Sequence, residues 1–149
     1  MEHPGTFDEW WQSPASCNKE MCTQADFYAN YNITREQFES FRFKNGFNMG
    51  DIMVLHGVKP KDVQQGDVIV FKSNRPDPII HRVIKTQEIN GVYHFTTKGD
   101  HNKNIHPGIA ESDIREDRLI GKALIRVPLL GWIKIGFMRL VQMLGVVLK

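Results

Sequence analysis

Cysteine is scarce in this sequence: Cys17 and Cys22 are the only two in 149 residues. That is too few for a disulfide scaffold or an all-cysteine zinc site, and it leaves two thiols or one local bridge. An excess of charge of one sign is also missing, since 19 Lys and Arg stand against 17 Asp and Glu. The resulting net charge of +2 gives no global field that would draw in nucleic acid, so nucleic acid is not an expected partner. Residues 1–30 lack a charged start followed by an apolar run, so they do not read as a signal peptide and any anchor is expected elsewhere. Internal repeats and low-complexity tracts are absent as well.

What is present divides into three textures. Residues 1–49 are rich in Asn, acids and aromatics, and read as short helices and loop. Thr34 with Gln37 three positions on fits a capping box, which predicts a helix over about 35–41 with Phe38 and Phe41 on one face. Residues 50–128 change to strands and turns: DIMVLHGV, VIVFKS, PIIHRVIKTQEI, VYHFTTKG and, after a polar stretch, LIGKALIRV. Asn90-Gly91 between two of these runs is a strong hairpin signal, because both residues tolerate the positive φ of a type I′ turn. The length suits one domain. The expected fold class is mainly β, with a short-helix N-terminal insert and an apolar C-terminal helix.

The tail, LLGWIKIGFMRLVQMLGVVLK over 129–149, carries few strongly polar residues: Lys134, Arg139 and Gln142 before the final lysine. On a helix those three fall within an arc of about 140°. This predicts an amphipathic helix at a membrane interface, or a marginal span with two charges to accommodate, so a lipid bilayer is an expected partner.

Six histidines invite a metal reading, but His101 and His106 have neither H-x-x-x-H spacing nor a Cys/His cluster beside them, and no metal or cofactor is expected. The more informative pair is His81 and Asp100. His81 lies within an apolar strand, where a titratable ring needs a reason to be, and Asp100 ends the partner strand of the hairpin. Counting back from Asn90-Gly91 puts position 81 opposite position 100, with Cβ atoms about 4.5–5.5 Å apart. A carboxylate there can fix the tautomer of an imidazole and stabilise its protonated form, the orienting half of a Ser-His-Asp site.

In their order, GDIMVLHGV, QQGDVIVFKS, PIIHRVIK, FTTKGDHN and IGKALIRVPLLGW resemble the motif set of type I signal peptidases, in their archaeal and endoplasmic-reticulum branch. The resemblance runs from about Gly50 to Trp132. It implies a β-rich domain held on the extracytoplasmic face of a membrane by an N-terminal helix. It also implies a serine nucleophile in a Ser-Met motif, a histidine base matching His81, and an aspartate matching Asp100. The substrates it implies are signal-peptide-bearing precursor proteins. Some members carry a second aspartate six residues on, where this chain has His106.

No serine stands a few residues before Gly50-Asp51, where most relatives have Ser-Met; Arg42-Phe43 falls there, and Ser40 has the wrong neighbours. Met1-Glu2-His3-Pro4 fits better as the remainder of a Ser-Met-Glu-His-Pro motif. The nucleophile is therefore expected just before Met1, and the chain as it stands is expected to be inactive. The expected function is a membrane-associated serine endopeptidase that removes signal peptides. The alternative is a non-catalytic relative that binds exported peptides or serves a membrane complex.

Overall fold

Val68, Ile69, Val70 and Phe71 form a run without a polar side chain, and all four are buried. Such a strand belongs in the middle of a sheet covered on both faces. In the computed structural model, which describes residue 3, residues 5–133 and residue 136, this run is β4 (Val68–Phe71). Five further strands form one antiparallel sheet with it: β3 (Ile52–His56), β5 (Ile79–Ile89), β6 (Val92–Lys98), β7 (Ile114–Arg115) and β8 (Leu119–Val127), in the order β3-β8-β4-β5-β6-β7. Asn90 and Gly91 join β5 to β6 with φ of 52° and 77°, as a type I′ turn requires.

The insert contains three short helices, α1 (Phe7–Trp11), α2 (Gln24–Ala29) and α3 (Arg35–Ser40), each opened by a threonine in a reciprocal capping box. Thr34 is one of those caps, as the sequence indicates. The insert is not purely helical, however: β1 (Pro14–Cys17) and β2 (Glu20–Thr23) form a hairpin closed by a disulfide between Cys17 and Cys22. The alternation in strands of four residues is too short to read, and the turn is Asn18-Lys19, both left-handed. A non-glycine pair at those angles is uncommon, though Asn is the residue that adopts them most readily.

Trp10, Trp11, Phe27, Tyr28 and Phe38 are buried together, and one residue of the main sheet, Ile84, joins them. Ile84 marks a break in the β5–β6 ladder, which passes from Lys85↔Thr96 to Val83↔Thr97. A bulge sends its extra residue out of the regular alternation; here that residue plugs the aromatic cluster of the insert. A second cluster, including Ile69, Phe71, Val83, Phe95 and Ile114, fills another part of the core.

Past β8 the backbone turns helical from residue 130, where Gly131 N–H donates to the Gly50 carbonyl at 2.8 Å. Among the described residues no helix is long and apolar enough to cross a membrane. Most of the expected 129–149 helix lies outside the described residues.

Candidate active site

Successive residues of a strand point to opposite faces, and on β5 this separates His81 from Arg82. Arg82 is fully buried. Its Nε and Nη2 donate to the Asp100 carboxylate at 3.0 and 2.7 Å, and its remaining N–H groups reach the carbonyls of Arg42, Gly66 and Phe43 at 2.8–3.0 Å. The Phe38 ring lies 4.8 Å beneath the guanidinium. Tyr28 Oη donates to Asp100 Oδ1 at 3.2 Å, and the Trp10 indole N–H to the Asp100 carbonyl at 2.9 Å. Burial would raise the Asp100 pKa, but the charge of Arg82, hydrogen bonds from His3 and Arg82 and the charge of Lys98 together outweigh it and hold the carboxyl far below the usual range.

The pairing of His81 with Asp100 expected from the hairpin is therefore not the one the structure makes. The bulge at Ile84 moves the register by one, giving Arg82↔Lys98, so the next step along β5 brings His81 to Gly99. A Cβ placed on Gly99 would lie 2.7 Å from His81 Nε2, so the ring rests on that bare backbone. Asp100 serves the other face.

The carboxylate at His81 is Glu111, whose Oε2 meets Nδ1 in a short contact. Glu111 is wholly buried; Oε2 also accepts from Thr97 Oγ1 at 3.1 Å, and Oε1 accepts the His106 backbone N–H at 2.6 Å. The loop after β6 brings it there by folding back through a 3-10 turn (Pro107–Ile109) and a left-handed Ala110, after which the Glu111 carbonyl receives the Thr97 N–H at 2.9 Å. An ionised carboxylate only accepts, so against ionised Glu111 it is Nδ1 that donates, and a neutral imidazole in that tautomer carries its lone pair on Nε2. The His81 side chain is 15% exposed, so part of the ring meets solvent. This is the orienting arrangement of a nucleophile–base site, with Glu in place of Asp.

His106, at the position where some relatives have a second aspartate, contributes a backbone N–H, while its ring accepts from Gly108 N–H at 3.0 Å. Ser40 donates its hydroxyl to the Gln37 carbonyl at 2.6 Å and stays on the exposed side of α3. Among the described residues no three of His, Cys, Asp and Glu stand together as a metal site would need.

Two further groups surround this turn. Lys98 is buried, its Nζ 2.9 Å from Gln24 Oε1 and about 5 Å above the rings of Phe27 and Tyr28, and burial pushes its pKa down to about 8. His3 stacks on Trp10 at 3.8 Å with planes 4° apart, and its Nε2 lies 3.5 Å from Asp100 Oδ2, at the limit of hydrogen-bond reach.

Among proteins of known name, the chain is similar to catalytic subunits of signal peptidase complexes. The chain is 33% identical over 94 residues to the signal peptidase complex catalytic subunit SEC11C of Homo sapiens, covering 60% of this chain and 49% of that protein. Similarity to the signal peptidase complex catalytic subunit sec11 of Schizosaccharomyces pombe is 37% over 75 residues, 47% of this chain and 40% of that one. For the Yarrowia lipolytica subunit SEC11 it is 30% over 94 residues, 60% and 54% respectively. The chain thus spans about half the length of these relatives. No family model matches it. The relatives support a function related to signal peptidases.

Proposed function

We propose that the protein is a membrane-associated serine endopeptidase that removes signal peptides from exported precursors. His81 is the general base, Glu111 orients it, and a serine immediately before Met1 is the nucleophile. The observation that carries this reading is the His81–Glu111 contact, which leaves Nε2, above Gly99, with no hydrogen-bond partner among the described residues. In the reaction the serine hydroxyl attacks the scissile carbonyl, Nε2 takes its proton, and the same proton passes to the leaving amine. Asp100 acts through position: it holds the turn under the histidine, and its neighbour His3 ties residue 3 to that same turn.

The surface supports a seat on a bilayer. Ile52 and Val54 on β3 pair with Val127 and Ile125 on β8, and Ile52, Val54 and Ile125 are each more than 40% exposed. Leu129, Leu130, Trp132 and Ile133 extend this apolar strip, with Trp132 satisfied by donation to the Met49 carbonyl at 3.0 Å. A contiguous apolar patch of this kind marks contact with lipid or protein. The Cys17–Cys22 bridge favours the extracytoplasmic side, where disulfides persist.

The test is cleavage of a precursor by the full-length protein, including the segment before Met1, in membranes. His81→Ala should lower the rate by roughly 10³-fold or more, with folding retained. Cleavage at the parent rate in that variant would overturn the reading.

A further inference from the structure

Between α2 and α3 the chain reads Asn32-Ile33-Thr34, the one place in the sequence where an asparagine is followed two residues later by serine or threonine, with no proline between. That tripeptide is the acceptor pattern for N-linked glycan transfer, which needs the asparagine amide and the hydroxyl presented together. Here the middle residue is anchored and the outer two are presented. Ile33 is 1% exposed in the aromatic cluster of the insert, with its N–H bound to the Tyr28 carbonyl at 3.1 Å, whereas Asn32 and Thr34 are both exposed. The linker therefore fixes the backbone while turning both recognition groups to solvent. Both residues also shape the local backbone, since Asn32 takes the left-handed turn that follows α2, at φ 57°, and Thr34 caps α3. The second observation that points outward is the disulfide in the same lobe, which belongs to a compartment where such transfer occurs.

We propose that Asn32 is an N-glycosylation site. Its amide nitrogen forms a bond to the anomeric carbon of a lipid-linked oligosaccharide. The bond from that carbon to the lipid phosphate oxygen breaks, the lipid phosphate departs with the electron pair, and the amide proton passes to a base of the transferase. The proposal rests on the extracytoplasmic placement argued above, and extends it by putting a bulky hydrophilic group on the insert, on a linker distinct from the apolar β3–β8 strip.

One experiment tests both and separates them. Trypsin cuts after Lys19 and Arg35, so the peptide 20–35 carries Cys22 and Asn32 together, and without reduction it stays joined to the peptide that holds Cys17. In protein isolated from its own membranes, the expected result is that joined pair with hexose-type mass increments on Asn32. Asn32→Asp and Thr34→Asp should each abolish the increments. The second variant keeps an N-cap residue, so α3 is retained, and Thr34→Ser should keep them. A joined pair with bare Asn32 would overturn the glycosylation proposal and leave the placement standing. Free thiols together with bare Asn32 would overturn both.

Discussion

Neighbouring residues of β5 each hold a buried carboxylate, and the two pairs differ in what they leave over. Around Arg82 and Asp100 the donors and acceptors are matched: the guanidinium reaches two carboxylate oxygens and three carbonyls, and Tyr28 adds a further donor to the carboxylate. Around His81 and Glu111 the match among the described residues stops at one nitrogen, Nε2, on a side chain that water can touch. A closed network has no group free for chemistry, and its removal costs stability. An open one costs little to alter, and its value lies in reactivity.

Altering the open side should give the largest effect. Glu111→Gln in the full-length protein is expected to reduce precursor cleavage by roughly 10³–10⁴-fold, as for loss of an orienting carboxylate elsewhere. Urea unfolding should change by only about 1 kcal/mol. If Glu111→Gln cleaved normally and Asp100→Asn did not, the roles assigned to the two carboxylates would be reversed. On the closed side, Asp100→Asn leaves the Arg82 charge buried without its counter-ion and should cost about 3–5 kcal/mol of stability, read from the same unfolding curves. Gly99→Ala lies between the two: its methyl would meet His81 Nε2 at 2.7 Å. A displaced base should lower cleavage by about 10²-fold while KM changes little.

Smaller effects test the surroundings. Lys98 has a folded-state pKa of about 8, below its ordinary value of 10.5. Between those values the unfolded chain holds more protons, so stability should rise with pH from about 8 to 10.5, and Lys98→Met should remove that slope. Asp100 gives a slope of the same sign at acid pH, because its stabilisation is present above the ordinary carboxylate range and is lost as pH falls through it and below. Replacing both cysteines by serine should be mildest, at about 2 kcal/mol for so short a loop, measured by thermal unfolding.

Much of this architecture is legible in the residues. The strands β3, β4, β5, β6 and β8, the Asn90-Gly91 turn and the Thr34 cap follow from local rules that act over two to five positions, with β4 marked by its unbroken apolar run rather than by a period. His81 is also legible, as a polar ring in an apolar strand. Its partner is not, for two reasons. The bulge at Ile84 is one apolar residue among several, and nothing local distinguishes it; only the aromatic pocket of the insert draws it aside and shifts the count by one. Glu111 lies beyond a polar loop, and its burial depends on Thr97 and the His106 backbone closing on it from a distance in sequence. A carboxylate directly after the apolar Ile109-Ala110 pair is the single cue. The Cys17–Cys22 hairpin stays hidden because four-residue strands give no usable period.

The roof of aromatics over β5 also bears on how the chain reaches this state. Arg82, Lys98 and Asp100 cannot leave water until Trp10, Gln24, Tyr28 and Phe38 are in place to receive them, since these supply the ring faces and several of the hydrogen bonds that replace solvent. The sheet therefore cannot complete itself first and acquire the insert afterwards. The two must come together in one concerted step, and calorimetry or denaturant should record a single melting event in which aromatic lobe and strands are lost together.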